Sequence, residues 1–194
     1  MIKWEFLEGG AVSDPNSKYR SWYNFIEYPS KYHSWWGIDT LPCVNELDEG
    51  FLDYIIFDDD SVVSKYLNLG ADGIRLDVAD ELPDEFLSLL KKRVKEIKSD
   101  ALVIGEVWED ASNKESYGIR RRYFVDSTLD SVMNYPYQNA IIGFVNETLR
   151  GYDFAKRYND NCRKLSKTCF RLCYDESFHT RYAENTDGYV KSAP

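Results

Sequence analysis

The sequence predicts an α/β fold built on parallel βα units, and three observations predict it. Short apolar strand segments alternate with amphipathic helical segments between residues 70 and 150, the order a parallel sheet requires. The two best-defined strand segments, "GIRLDVAD" and "ALVIGEVW", both end in carboxylates. In a β/α barrel the residues at the C-terminal strand ends form the active site. Finally, the chain has 194 residues, 43% hydrophobic and 15% aromatic, enough for one domain with a real core.

The elements follow in order. Residues 1–50 read as a long aromatic-rich loop region, with turn formers throughout "SDPNSKYRSWYNFIEYPSKYHSWWGIDTLPCVNELD" and no clean period. A helix is expected from Glu46 to Leu69, with Val62, Val63, Tyr66 and Leu67 at helical spacing and Gly70 as its stop. In "GIRLDVAD", Ile74, Leu76 and Val78 alternate with Arg75 and Asp77, a strand pattern. "ELPDEFLSLLKKRVKEIKSD" reads as a helix. Pro83 suits its first turn, Asp84 and Glu85 suit the positive end of its dipole, and Phe86, Leu90, Val94 and Ile97 form its apolar face. A buried-type run of Leu102, Val103 and Ile104 makes the second strand. "LDSVMNYP" makes the third, and Tyr137 to Leu149 a further helix.

The net charge of −9 disfavours nucleic acid and anionic membranes as partners. "MIKWEFLEGG" lacks the apolar run of a secretory signal, and no stretch approaches the ~20 apolar residues of a membrane span. A cytoplasmic location is the expectation.

The chemistry concentrates on Asp77 and Glu106, each at the end of a strand on consecutive βα units. Adjacent strands lie ~4.8 Å apart, so the two carboxyl groups could face each other. A retaining glycosidase needs such a pair ~5–5.5 Å apart, one as nucleophile and one as acid/base. Arg75, two residues before Asp77, points to the same side and would keep that carboxylate ionised. Val107 and Trp108 give Glu106 apolar neighbours, and desolvation is expected to raise its pKa. The plainer alternative is a local Arg75–Asp77 pair capping a turn, with Glu106 an ordinary strand-end acid.

At this point the motifs resemble a known family. "GADGIRLDVADELP" and "VIGEVWEDAS" resemble the second and third conserved regions of the α-amylase family of glycoside hydrolases. "SWWGIDTLPCVNE" and "LDSVMNYPYQNAI" resemble its neopullulanase, cyclomaltodextrinase and maltogenic amylase branch. The resemblance implies that Asp77 is the nucleophile, Glu106 the general acid/base and Arg75 the arginine holding the nucleophile, with Trp108 and Asn134 close to the sugar. It implies a (β/α)8 TIM barrel, here partial and represented by its middle βα units. It implies α-1,4- or α-1,6-linked glucans, maltooligosaccharides or cyclomaltodextrins as substrates, and no redox cofactor. Some members bind calcium, but no ligand set is recognisable here. Oligomeric state is not legible.

The family's first region, and the "HD" dipeptide of its fourth region that carries the third catalytic acid, do not occur in these residues. A whole barrel takes ~250 residues. The expectation is therefore a truncated and inactive piece of the catalytic barrel over residues 1–157. The alternative is a non-catalytic remnant that binds glucans or a partner chain.

Residues 158–194 hold Cys162, Cys169, Cys173 and His179 without a paired C-x-x-C, a weak zinc signal. Codons permissible for Tyr158 onward, read one base over, spell "IMTIVENYP" and later "THDTPRIL", which resembles what this branch carries after "FAKR". The tail is thus expected to be an out-of-frame translation after Arg157, with no structural period of its own.

Overall fold

The computed structural model describes residues 9–124 and 128–164. The described residues divide into two compact units, one ending at Gly70 and one beginning at Ala71.

The first unit is loop-rich, as expected. A 3-10 turn (Arg20–Trp22) precedes a short antiparallel hairpin of β1 (Phe25–Glu27) and β2 (Lys31–Tyr32), and the Tyr28–Pro29 peptide is cis. The Trp22 ring anchors the unit, with ring centroids of Tyr19, Tyr54 and Phe51 at 4.8, 5.3 and 5.5 Å.

The single helix expected over Glu46–Leu69 is instead two segments. Helix α1 (Glu49–Leu52) starts at Asp48, whose carboxylate accepts from the Phe51 amide at 3.1 Å, and continues as a π-helical stretch (Asp53–Phe57). The run Asp58–Asp60 then breaks it. Aspartates compete for backbone hydrogen bonds outside helices, and Ser61 restarts the chain as the N-cap of α2 (Val62–Asn68). Ile56, Val63 and Leu67 are buried, whereas Tyr66 is exposed and does not join that face. Gly70, at φ +103°, ends the segment in a left-handed conformation that glycine adopts without a Cβ penalty.

The second unit is built on three parallel strands. The order is β3 (Gly73–Leu76), β4 (Leu102–Gly105) and, at residues 131–132, the strand that becomes β7 after the loop hairpin described next. Gly73 pairs with Leu102, Leu76 with Gly105, and Gly105 with Val132. A two-stranded hairpin, β5 (Glu115–Ser116) and β6 (Ile119–Arg120), lies in the loop after β4, and β7 (Ser131–Val132) follows it. Among the described residues the sheet is open, and no closed barrel is present.

Helix α3 (Asp84–Ile97) begins directly after Pro83 and buries Phe86, Leu87, Leu90 and Val94. Its lysines lock the sheet. Asp130 pairs with Lys91 at 3.0 Å and Lys95 at 2.9 Å, and accepts from the Val103 amide at 2.9 Å. Gly105 is obligatory for close packing, since a Cβ there would meet Leu129 Cδ1 at 2.7 Å and the Ala79 methyl at 2.9 Å.

Helix α4 (Tyr135–Val145) starts earlier than the expected Tyr137 because Asn134 caps it. It ends before Leu149, where Glu147 turns to φ +58°. Helix α5 (Gly151–Lys164) packs on α4, with Phe154 against Tyr137 and Phe144. It also corrects an expectation: residues 158–164, expected to lack a structural period, continue the helix from Arg157 to Lys164. The remaining cysteine and histidine positions of the zinc reading, Cys169, Cys173 and His179, lie outside the described residues. Among the described residues no cluster of metal-ligating side chains occurs and no helix is long and apolar enough to cross a membrane.

Candidate functional site

The site forms where β3, β4 and β7 end. Asp77 and Glu106 follow immediately on the paired residues Leu76 and Gly105. The ladder continues one step further, with the Glu106 amide donating to the Leu76 carbonyl at 2.9 Å and the Ala79 amide to the Glu106 carbonyl at 2.9 Å. Parallel register therefore sets the two acids side by side at the C-terminal ends of adjacent strands.

Arg75 bridges them. One guanidinium nitrogen pairs with the Asp77 carboxylate, and the other lies 3.1 Å from Glu106 Oε1 and 3.5 Å from Met133 Sδ. The hydrogen bond to Asp77, followed by the charges of Glu106 and Asp77, raises the guanidinium pKa further, so Arg75 stays charged. The two acids sit in different surroundings: the Asp77 side chain is 77% exposed, the Glu106 side chain 11%.

Glu106 departs from expectation. Its pKa is not raised but held down at about 2. The Trp108 side chain contributes most, by a hydrogen bond, followed by the Val78 amide; burial opposes them, and Tyr135 adds a further hydrogen bond. Val107 is buried, but Trp108 is exposed and its effect on Glu106 is to lower the pKa, not to raise it. Donors to the charged form outweigh desolvation.

Two of these donors lie outside the expected set of site residues. Val78 does not continue the strand. It adopts φ +44°, a strained conformation for a β-branched residue, and its amide donates to Glu106 Oε2 at 3.1 Å. Tyr135, at the start of α4 and just past β7, donates its phenol to Glu106 Oε1 at 3.0 Å. Applying the strand-end rule to the third strand would have drawn attention to Tyr135; nothing in the local sequence marks Val78. Of the remaining expected residues, Trp108 is exposed and borders Glu106. Asn134 is engaged in capping, its Oδ1 accepting from the Tyr137 amide at 3.1 Å.

A second network straps together the loops that follow β3 and β4. The Arg121 side chain, 7% exposed, donates to Asp84 at 2.9 Å, to the Asp80 carbonyl at 2.7 Å and to the Leu82 carbonyl. Lys114 joins Asp80 at 3.1 Å and also pairs with Glu109. The loops flanking both acids are thus cross-linked by charge-assisted hydrogen bonds.

No family model matches the chain. Curated proteins do. An amylopullulanase of Thermoanaerobacter thermohydrosulfuricus is 32% identical over 142 residues, 66% of this chain and 9% of that protein. A cyclomaltodextrinase of Thermoanaerobacter pseudethanolicus is 33% identical over 142 residues, 66% of this chain and 21% of that protein. Neopullulanase and maltogenic α-amylase sequences match as well. The chain therefore spans less than a quarter of the length of these relatives. Among solved structures, the cyclic α-maltosyl-(1→6)-maltose hydrolase of Arthrobacter globiformis superposes with a TM-score of 0.66 at 21% identity, over 83% of this chain and 35% of that one. That likeness is one of fold, to part of a TIM-barrel enzyme.

Proposed function

We propose, from the premise that the chain is a relative of the neopullulanase, cyclomaltodextrinase and maltogenic amylase branch of the α-amylase family, that its second unit carries the acid pair of a retaining α-glucan hydrolase. Asp77 is the nucleophile, Glu106 the general acid/base, and Arg75 orients both. Trp108 and Asn134 border the sugar. The observation that carries this reading is the Arg75 bridge between two carboxylates at the ends of adjacent parallel strands.

In the reaction, Asp77 attacks the anomeric carbon while Glu106 protonates the departing glycosidic oxygen. Water, deprotonated by Glu106, then releases the sugar and frees Asp77. The exposed Asp77 suits attack. With these donors in place Glu106 is ionised at neutral pH, so it must gain a proton as the substrate takes its place among them. Burial by a bound sugar supplies the push, because desolvation favours the neutral acid.

The 194 residues contain no His-Asp dipeptide to supply the third acid of the resemblance. Catalytic groups of one site act as a unit, so this chain binds α-glucan but turns over little or none of it. Calorimetric titration with maltoheptaose tests the site: binding is expected, weakened by Trp108→Ala. Incubation with pullulan or cyclomaltodextrin tests turnover. Absence of binding would overturn the site, and ordinary glycosidase rates abolished by Asp77→Asn would overturn the claim of inactivity.

A further inference from the structure

Glu106 must exist in two states during a retaining cycle, protonated as the acid and ionised as the base. The groups that contact it differ in what they can offer. The Arg75 guanidinium and the Val78 amide only donate hydrogen bonds. They serve the carboxylate and have nothing to give the proton of a carboxylic acid. Asp77 only accepts while ionised, and it is consumed as the nucleophile. The Tyr135 phenol both donates and accepts, and its hydrogen rotates to suit.

Its placement is built in. Tyr135 is the first residue of α4, held between the Asn134 cap and Pro136, and its amide donates to the Met133 carbonyl at 3.1 Å. Proline at the next position stiffens that turn. The phenol oxygen ends 3.0 Å from Glu106 Oε1, the oxygen that Arg75 also contacts at 3.1 Å.

We propose that Tyr135 is a positioning residue for Glu106, donating to the carboxylate when Glu106 is the base and, when it is the acid, accepting from the carboxyl proton until the glycosidic oxygen takes that proton. The inference rests on the retaining-glycosidase reading of the same site. It assigns the third strand end a role in the proton traffic, through Glu106. The raised phenol pKa, due first to the hydrogen bond with Glu106 and then to burial, agrees with a coupled pair.

The test uses the whole chain with carbon-13 in glutamate carboxyls and tyrosine Cζ. Coupling between two titrating groups is reciprocal. Glu106→Gln removes the negative charge that opposes phenolate formation, so the Tyr135 midpoint falls, by about half a pH unit or more. Tyr135→Phe keeps the ring but removes the hydroxyl, so the Glu106 carboxyl resonance moves at neutral pH. A merely structural tyrosine would change thermal stability and leave both signals in place, and that result would overturn the proposal. If Tyr135→Phe does not fold, the Glu106→Gln arm decides alone. Maltoheptaose titration separates the two claims. Binding without coupling removes this inference only, whereas coupling without binding removes the glycosidase reading.

Discussion

Replacing Asp130 with alanine should loosen the strand that carries Glu106. The Asp130 side chain is 13% exposed and makes three contacts: Lys91, Lys95 and the Val103 amide. The amide contact dominates the cost. Val103 is fully buried in β4, and an orphaned buried N–H costs ~1–3 kcal/mol. Lys91 and Lys95 keep partners, the Leu129 carbonyl at 2.8 Å and the Ala101 carbonyl at 2.6 Å, so the loss from the ion pairs falls well below that of a fully buried pair. The sum is ~3 kcal/mol, or roughly a 100-fold loss of amide-exchange protection in β4. Asp130→Asn retains an acceptor for Val103 and should lose roughly a tenth as much protection. The effect carries a pH signature. Burial raises the Asp130 pKa, but Lys95, the Val103 amide and Lys91 outweigh it, and the folded value lies below the ordinary one. The stabilisation is therefore complete above the ordinary carboxylate pKa of ~3.9 and fades as pH falls through the lower folded value. Hydrogen exchange read by mass spectrometry on peptides covering 101–105 measures it. Equal protection in wild type and Asp130→Ala at pH 7 would refute the reasoning.

Arg121→Lys should cost ~2–4 kcal/mol, because a lysine cannot meet three acceptors of fixed geometry from a nearly buried position; trypsin cleavage in the loop 107–122 should accelerate, and an unchanged cleavage rate would count against the strap. Sequencing the gene across codons 150–194 should reveal the "IMTIVENYP" to "THDTPRIL" run one base over; its absence would mean that the tail is genuine coding sequence. The 194-residue chain should associate with rising concentration, since β3 and β7 are edges among the described residues and α4 exposes Ile141, Ile142, Phe144 and Val145; sedimentation showing a monomer throughout, with one sharp thermal transition, would contradict this.

What was legible in the sequence was the local and the periodic. The alternation in "GIRLD", the apolar run before Glu106 and the amphipathic face of α3 each reflect a pattern within a few residues. The strand-end rule then put Asp77, Glu106 and Arg75 in one place. What stayed hidden depends on partners distant in sequence. The low pKa of Glu106 comes in part from Val78 and Tyr135, which are 28 and 29 residues away and arrive only through the parallel register. The Val78 backbone is dictated by that meeting rather than by a valine's own preference. The β5–β6 hairpin leaves no sequence signal because its strands are two residues each, and its turn relies on Tyr117 and Gly118 at positive φ. The helical tail through Lys164 follows from α5 packing against Tyr137 and Phe144, a tertiary effect that no period in "NDNCRK" announces.

Covalent trapping tests the central claim most directly. An epoxide mimic of glucose with α-glycosidase stereochemistry needs only a positioned carboxylate to open its ring and a nearby acid to protonate the released oxygen. It forms one ester per site and requires no turnover. Peptide mapping should find the adduct on Asp77, absent from Asp77→Asn and formed more slowly in Glu106→Gln. No adduct at Asp77, or an adduct on another carboxylate that Asp77→Asn leaves untouched, would contradict the account.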